Sequence, residues 1–383
     1  GLVYAQNYEF ARTAIDFALG RGGDQAVVKM PDKINYYGGK SQQVEKNTRV
    51  KARVKAHALR EIITSKDNVL IMGHKIGDVD SFGAAVGIYR IARTLERRAQ
   101  IVLNDVTTSL RPMVDLFLNN PEYENDMLLT SAQALECAGP NTVLVVVDVN
   151  RPSLTECPEL LKICKSIVVL DHHRAGTETI ENATLSYVET YASSACEMVS
   201  EILQSDGIRI KSEEADSMYA GMVVDTQNFM TKTGVRTFEA AAFLRRNGAD
   251  VTRVRKLFRE NAAEYKAKAD AVSQAEIYRN AYAISICHSE GIASPTVVGA
   301  QAANELLDIR GVKASFVLTE YQNKLFFSAR SIDEVNVQVI MERMGGGGHL
   351  NIAGCQLENT PVEEGIIVLK RTLDKMIEEG EIS

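Results

Sequence analysis

The chain has 383 residues, of which 45% are hydrophobic and 24% are charged, and its net charge is −7. This composition is typical of a globular protein of about two or three domains and excludes a disordered chain, a collagen-like fibre and a disulfide-framed miniprotein. Mild acidity argues against a non-specific binder of long nucleic acid. No apolar run approaches the roughly 18 residues of a membrane span, and six scattered cysteines without a C-x-x-C pair indicate reduced thiols.

The first 39 residues predict too few elements to form a core of their own. Apolar patterning indicates a helix over residues 10–19 and a strand over residues 26–30. Residues 1–39 are therefore expected to be the end of a domain that begins upstream.

Residues 40–66 predict a basic connector helix. Seven basic side chains and one acidic side chain fall between residues 40 and 60. This charge pattern favours a solvated basic face, and contact with an anionic surface is the alternative. The apolar stripe of the helix is expected at a spacing of four, at Val50, Val54, Ala58 and Ile62.

Between residues 67 and 248, apolar runs alternate with helical stretches. This alternation predicts an α/β domain with a doubly wound, mostly parallel sheet. Continuous runs of Val, Leu and Ile are expected where both faces of such a sheet are buried. The predicted strands are 68–72, 100–103, 142–147 and 166–170, and the predicted helices include 81–95 and 194–203.

A charged helical linker is predicted over residues 249–280, followed by a second, smaller α/β domain over 281–383. A run of four glycines, followed by His349, predicts a loop before the last helix. The predicted elements of this domain are strands 281–287, 313–319 and 324–329 and helices 296–307, 336–344 and 362–379.

Acidic and histidine side chains follow four apolar runs of the first α/β domain. Ligands of a parallel sheet bind just past the carboxyl ends of its strands, so these side chains are expected to converge. Each group alone could be a helix cap or a turn, but several unpaired carboxylates would be costly without cations. Carboxylate and imidazole ligands without thiolate suit Mn²⁺ better than structural zinc. The groups are His74-x-x-x-Asp78-x-Asp80 after strand 68–72, Asp148-Val149-Asn150 after 142–147, Asp171-His172-His173 after 166–170, and Asp225-Thr226 after the run 220–224, taken as a strand.

This pattern resembles the DHH phosphoesterase superfamily, which includes RecJ-type exonucleases, nanoRNases and family II pyrophosphatases. The second domain resembles the DHH-associated substrate domain through Ser328-Ala329-Arg330-Ser331 and the loop 345–349. The whole chain looks like the GdpP/YybT-type branch of cyclic di-AMP phosphodiesterases, in which a degenerate GGDEF domain, here matched by residues 1–39, precedes the DHH unit. The strings that carry this likeness are Leu19-Gly20-Arg21-Gly22-Gly23-Asp24-Gln25, Tyr37-Gly38-Gly39, Gly73-His74-Lys75 and Asn336-Val337-Gln338.

The resemblance implies a centre of two Mn²⁺ ions or similar divalent metals. It implies that Asp148 bridges the ions and that His173 faces the substrate phosphate, so both are expected to be catalytic. Asp171 would orient a histidine. The implied ligands are His74, Asp78 and Asp148 for the first ion, and Asp80, Asp148, His172 and Asp225 for the second.

The second domain is expected to bind the substrate. Glycines let a backbone approach a ligand closely and offer N–H groups to a phosphate, whereas a plain flexible turn is the alternative. An arginine can hold a phosphate through two hydrogen bonds. The expected substrate-binding residues are Ser328, Arg330, Gly346, Gly347, Gly348 and His349.

The resemblance thus implies a metal-dependent phosphodiesterase that opens cyclic di-AMP to linear pApA and controls the level of a second messenger. The alternatives are hydrolysis of short linear oligonucleotides, as in nanoRNases and RecJ, and a catalytically inactive dinucleotide sensor. Cyclic di-GMP and pApA are alternative ligands, and a homodimer is left open. The branch also implies a cytoplasmic location, within a parent protein anchored in the membrane.

Overall fold

The structure is a computed structural model that describes residues 3–20, 25–30, 34–38, 44–118, 120–174, 178–259, 261–332 and 335–382. The chain divides into two compact units, Gly1–Arg259 and Glu260–Ser383. None of the helices in those described ranges is both long enough and apolar enough to cross a membrane.

The first unit begins with a helix and a two-stranded hairpin. Helix α1 spans Tyr4–Gly20, and strand β1 (Gln25–Lys29) pairs antiparallel with strand β2 (Ile34–Gly38). The long helix α2 (Val44–Thr64) follows. The sequence predicts α1, β1 and α2, but it gave no indication of β2.

A six-stranded sheet forms the centre of the first unit, and all its pairings are parallel. Residues of one strand alternate between two cores, with Val69 and Ile71 on one face and Leu70 and Met72 on the other. The predicted doubly wound α/β class is therefore confirmed. In order across the sheet the strands are β5 (Leu128–Leu129), β4 (Arg98–Val102), β3 (Asn68–Met72), β6 (Thr142–Val147), β7 (Ser166–Asp171) and β8 (Leu185–Val188).

Helices cover both faces of this sheet. Two short helices, α5 and α6, contribute to one core, and α2, α3, α7, α8 and α9 contribute to the other. A short 3₁₀ helix, Pro152–Leu154, follows β6. The remaining helices are α3 (Val79–Thr94), α4 (Arg111–Val114), α5 (Ser131–Cys137), α6 (Leu160–Ile163), α7 (Ala195–Ser205), α8 (Ser212–Asp225), α9 (Val235–Arg246) and α10 (Val251–Leu257).

Helix α2 packs through a different face from the one that the sequence indicated. Val50 and Val54 are 64% and 62% exposed, so the predicted apolar stripe is wrong. Another stripe of the same helix is buried instead, because its small alanines allow a close approach to α7. The members of this stripe are Ala52, Ala56, Leu59 and Ile63.

Helices α3 and α8 approach closely because glycines stand where they cross. A Cβ atom at Gly83 would lie 2.7 Å from the carbonyl oxygen of Ser217, and one at Gly221 would lie 2.9 Å from the Cα atom of Asp80. This approach places Asp225, the last residue of α8, beside the start of α3. The prediction that a strand precedes Asp225 is wrong, because five apolar residues in a row do not distinguish a strand from a buried helix turn.

The second unit contains a mixed six-stranded sheet, in which β10 and β11 pair in parallel and the other pairings are antiparallel. The expected second, smaller α/β unit is thus confirmed. Its strands, in order across the sheet, are β13 (Gly347–His349), β14 (Ile352–Glu358), β12 (Lys324–Ser331), β11 (Ala314–Tyr321), β10 (Tyr282–Cys287) and β9 (Glu276–Tyr278). Its helices are α11 (Ala262–Ser273), α12 (Pro295–Leu306), α13 (Val337–Arg343) and α14 (Val362–Glu378).

The segment 249–280, predicted as a helical linker, is divided between the two units. Helix α11 packs into the core of the second unit through Ala271, and β9 forms an edge of its sheet. The core under α11 and α12 draws its strand residues from β10 and β11. The same face of β12 is therefore only partly buried, and Ser328 and Arg330 lie on it.

Candidate active site

Three of the four predicted groups lie at the carboxyl edge of the parallel sheet, where strand ends position them. His74 lies two residues past β3, Asp148 directly follows β6, and Asp171 is the last residue of β7. Asp78 caps helix α3, and its Oδ1 accepts a hydrogen bond of 2.9 Å from the Ser81 N–H. The capping role that the sequence allowed for an aspartate is therefore present, and its other oxygen remains available to the site.

Asp148 is held in a strained backbone conformation. Its φ angle is 60°, in the left-handed region, which costs a residue other than glycine about 1–3 kcal/mol. Its N–H donates a hydrogen bond of 2.8 Å to the Leu170 carbonyl, and its side chain is 2% exposed. The surrounding strands thus fix the direction of this carboxylate.

His74, Asp78 and Asp148 form the first group of potential ligands. The Nε2 atom of His74 lies 3.2 Å from Asp78 Oδ2 and 3.5 Å from Asp148 Oδ2. One ligand atom from each residue lies within 4.8 Å of the other two, so the three could share one cation.

A second group surrounds His172. Its Nε2 atom lies 3.3 Å from Asp225 Oδ2 and 3.8 Å from Asp80 Oδ2. It also lies 3.2 Å from Oδ1 of Asp148, whose other oxygen faces His74. The structure thus brings all six predicted ligands together with Asp148 between the two groups, while their role in binding metal stays a prediction.

Two buried atoms in this cluster fit a metal ion. Asp148 Oδ1 and His172 Nε2 are close to each other, yet neither has an aligned hydrogen-bond partner in the described part of the chain. Buried polar atoms are rarely left without a partner, and a cation would satisfy both. A set of metal ligands made only of carboxylate oxygens and imidazole nitrogens suits Mn²⁺ or a similar metal.

The charges of the cluster are strongly coupled. Burial, and then the charge of Asp148, raises the pKa of Asp80 to about 7, and burial with the charge of Asp80 raises the pKa of Asp225 to about 8. Burial alone would lower the pKa of His172, but the nearby carboxylates raise it to about 9. Burial also opposes ionisation of Asp148, but His172 and His74 hold its pKa at about 2. A bound cation would displace the protons that the cluster retains.

His173 borders the cluster, with its Nδ1 atom 3.5 Å from Asp148 Oδ1, so that Asp148, His172 and His173 form a third group of potential ligands. It also belongs to a hydrogen-bonded row. Its Nδ1 lies 2.8 Å from Asp171 Oδ1, and its side chain is 57% exposed. The buried Asn150 donates from Nδ2 to Asp171 Oδ2 at 2.5 Å and to the His173 carbonyl at 3.2 Å. The row holds the imidazole so that Nε2 is free to meet a ligand. Sequence reasoning gave Asn150 no role, because nothing in its spacing indicates these contacts.

Asp80 has a structural role that the sequence did not show. Its Oδ2 accepts a hydrogen bond of 2.6 Å from the Ala195 N–H, and its Oδ1 accepts one of 2.9 Å from the Cys196 N–H. These two N–H groups belong to the first two residues of helix α7, and the amino end of a helix favours a negative charge. Asp80 therefore joins α3 to α7 beside the other potential metal ligands.

Arg330 in the second unit is a largely buried cation. Its Nε has no hydrogen-bond partner in the described residues, and its Nη1 donates to the Ala329 carbonyl at 2.9 Å. Burial lowers the pKa of the guanidinium. A cation of this kind, without a carboxylate partner in the described chain, suits an anionic ligand. Ser328 lies on the same face of β12.

The loop predicted over residues 345–349 is wrong in its second part, where the structure has a short strand. Residues Gly347–His349 form β13, which pairs with β14. A Cβ atom at Gly346 would lie 2.2 Å from the Gly354 carbonyl oxygen, so a glycine is required where the strands approach. A Cβ atom at Gly347 would meet no described atom within 4 Å, so that position is open. Binding of substrate by this strand, including His349, stays a prediction.

Two family models match the chain, and both agree with this architecture. The DHH family, N-terminal domain, matches residues 68–222, and the DHHA1 domain matches residues 281–379. A solved structure of an exopolyphosphatase-related protein from Bacteroides fragilis shares the fold, with a TM-score of 0.72 and 20% identity over 85% of this chain and 96% of that one.

Curated relatives are similar over nearly the whole chain. The cyclic-di-AMP phosphodiesterase GdpP of Bacillus subtilis is 41% identical over 97% of this chain and 57% of its own length. The cyclic-di-AMP phosphodiesterase PdeA of Listeria monocytogenes is 42% identical over 93% of this chain and 55% of its own length. The chain therefore spans a little over half the length of these relatives. Residues 68–222 therefore form a domain of the DHH family, and residues 281–379 form a DHHA1 domain.

Proposed function

We propose that the chain is a metal-dependent phosphodiesterase that hydrolyses cyclic di-AMP to linear pApA. The position of Asp148 carries this proposal, because its two oxygens face separate groups of potential ligands. Such an arrangement would suit two Mn²⁺ ions or similar divalent metals, which the two groups of residues would hold. The activity named for the GdpP and PdeA relatives supports the choice of substrate.

His74, Asp78 and Asp148 would hold one cation, and the group around His172 would hold the other. Cations there supply an activated water and polarise the phosphate oxygens. Water adds to phosphorus as the P–O3′ bond breaks, which leaves a 5′-phosphate and a 3′-hydroxyl. His173 would donate a hydrogen bond from Nε2 to a phosphate oxygen in its doubly protonated form, which the bond to Asp171 favours because it raises the pKa of the imidazole. Its Nδ1 is held by Asp171, which supports this role.

The partly exposed face of β12, β14 and β13 would bind the nucleotide. The buried guanidinium of Arg330 supports this role, because it lacks an ionic partner within the described ranges. Ser328, Gly347 and the backbone of β13 would supply further contacts. The cytoplasmic location implied by the family is part of the same proposal.

The test is incubation of the chain with Mn²⁺ and, separately, cyclic di-AMP, cyclic di-GMP and linear oligonucleotides, with products identified by chromatography. Release of pApA from cyclic di-AMP, abolished by a chelator, is expected. Cleavage of linear oligonucleotides alone would favour the nanoRNase alternative. Binding of cyclic di-AMP without turnover would favour the sensor alternative.

A further inference from the structure

Three basic residues directly follow the segments that carry the metal cluster. Lys75 follows His74, Arg151 lies three residues past Asp148, and Arg174 follows His173. They are carried by the loops after β3, β6 and β7, which are adjacent parallel strands. Adjacent strands lie about 4.8 Å apart, so the three loops emerge side by side. Lys75, Arg151 and Arg174 are called the basic rim below.

Hydrogen bonds join these loops to one another. The Lys75 N–H donates to the Leu154 carbonyl at 2.7 Å, which ties the first loop to the second. The Ile180 N–H donates to the Asn150 carbonyl at 2.9 Å, and Ser153 Oγ donates to Glu178 at 2.7 Å. These contacts tie the second loop to the third. Hydrogen bonds therefore join the described parts of the three loops that carry the rim.

The rim residues are exposed, and none of them forms an ion pair with a residue that the structure describes. Nearby carboxylates are engaged elsewhere. Glu156 accepts hydrogen bonds of 2.8 and 2.6 Å from Asn104, and Glu178 accepts from Ser153. Neither carboxylate forms an ion pair with a rim residue, so no direct pair within the described parts of these loops occupies the rim cations.

The metal cluster alone gives little attraction for an anionic substrate. Its four carboxylates, when ionised, cancel the charge of two divalent cations, so the loaded centre carries no net charge. A cyclic dinucleotide has two phosphates, and only one of them reacts at a time. The second phosphate therefore needs cations that are not committed to metal ligands; Arg330 is one such cation in the second unit, and the basic rim supplies others in the first unit.

We propose that the basic rim of Lys75, Arg151 and Arg174 binds the phosphate of a two-phosphate substrate that is not being hydrolysed. This inference rests on the proposed phosphodiesterase function and adds a subsite to it. The rim selects nucleotides with a second phosphate over simple phosphodiesters. It belongs to the same unit as the cluster and is distinct from the face around Arg330.

The test compares a triple variant, K75Q/R151Q/R174Q, with a control that makes the same charge change elsewhere, K162Q/K165Q/R209Q. The control residues are exposed, and Lys165 precedes β7 at the opposite edge of the sheet. Rates on cyclic di-AMP are compared with rates on bis(p-nitrophenyl) phosphate, which has one phosphate. Calorimetry with a phosphorothioate analogue of cyclic di-AMP measures binding without turnover, and Mn²⁺ binding is measured on the same preparations.

The rim variant is expected to bind the analogue at least about tenfold more weakly and to show a matching rise in KM for cyclic di-AMP. Its kcat/KM on the simple diester, its Mn²⁺ binding and the control variant should stay within about threefold of wild type. Equal losses on both substrates, or no loss on either, would overturn the subsite. If the wild-type chain cleaves the simple diester but neither binds nor cleaves cyclic di-AMP, the proposed function is what fails.

Discussion

The two units of the chain differ in the polar side chains that they gather. Carboxylates and imidazoles lie together in the first unit, and a guanidinium lies in the second. In the first unit, buried carboxylates and imidazoles converge, and the pKa values of Asp80 and Asp225 rise to about 7 and about 8. In the second unit, the guanidinium of Arg330 is desolvated with no carboxylate partner in the described residues. The first arrangement suits cations and the second suits an anion. The difference supports the proposed division, in which the first unit would perform the hydrolysis and the second would recognise the nucleotide.

The largest expected effect is that of Asp148→Asn, because this carboxylate belongs to both groups of ligands. Loss of a shared ligand removes several kcal/mol of charge stabilisation, so hydrolysis should fall by roughly a thousandfold or more. Rates and Mn²⁺ content should be measured on one preparation. The control is Asp115→Asn, an exposed carboxylate outside the cluster, which should behave as wild type. Near-normal activity of Asp148→Asn would show that the two groups do not act as one centre.

The next effect concerns the second unit. Arg330→Gln removes a charge-assisted contact worth about 1.5–3 kcal/mol, so dinucleotide affinity should fall about 10- to 100-fold. Mn²⁺ binding should not change. Lys324→Gln on the same strand is the control, since Lys324 already pairs with Glu358 at 3.2 Å. Equal affinities of the two variants in calorimetry would remove Arg330 from the nucleotide site.

Substitutions at two neighbouring glycines of the second unit should distinguish an effect on stability from an effect on dinucleotide binding. Gly346→Ala places a Cβ atom against the Gly354 carbonyl and should destabilise the unit by about 1–3 kcal/mol. Gly347→Ala meets open space, so it should keep the melting temperature of wild type and weaken dinucleotide binding by a smaller factor than Arg330→Gln. Thermal melts and calorimetry on both variants distinguish these outcomes. Unchanged affinity of Gly347→Ala would make β13 purely structural.

The smallest expected effects are on the stability of the metal-free chain, and they have opposite signs. The raised pKa of Asp225 means that the fold loses stability as pH rises from about 4 to about 8. Asp225→Asn should therefore raise the melting temperature at pH 8. The pKa of Asp148 is lowered to about 2, so its charge stabilises the fold above about pH 4 and this contribution is lost on acidification. Asp148→Asn should lower the melting temperature at pH 7.

Simple repulsion among carboxylates would instead predict that both variants are more stable. Melts in the presence of a chelator, at several pH values, decide between the two accounts. If both variants are stabilised alike at neutral pH, the pairing of Asp148 with the two histidines contributes nothing.

The sequence predicted the parallel sheet well, because long apolar runs and strand-end ligands are local signals. Strands β3 and β6 have the bounds that were expected, 68–72 and 142–147. The sequence failed where distant packing decides the outcome. The run before Asp225 is helical because Gly221 lets α8 lie against α3, and α2 buries the stripe that fits α7.

The site was partly predictable for the same reason. Residue types that bind metals are readily recognised at strand ends, so the cluster around Asp148 was expected. Asn150 was part of the strand-end group Asp148-Val149-Asn150, but its role was not predicted, since that role depends on Asp171, which lies on the neighbouring strand. A glycine run has no side-chain pattern, and so the strand formed by Gly347–His349 could not be distinguished from a loop.

Electron paramagnetic resonance of the Mn²⁺-loaded chain tests the central claim most directly. Two ions about 3.5–4 Å apart, joined through Asp148, should give two Mn²⁺ per chain and the broadened spectrum of an exchange-coupled pair. Asp148→Asn should lose that coupling. An isolated six-line spectrum with one Mn²⁺ per wild-type chain would contradict the account, because the groups around His74 and His172 would then not form one two-metal centre.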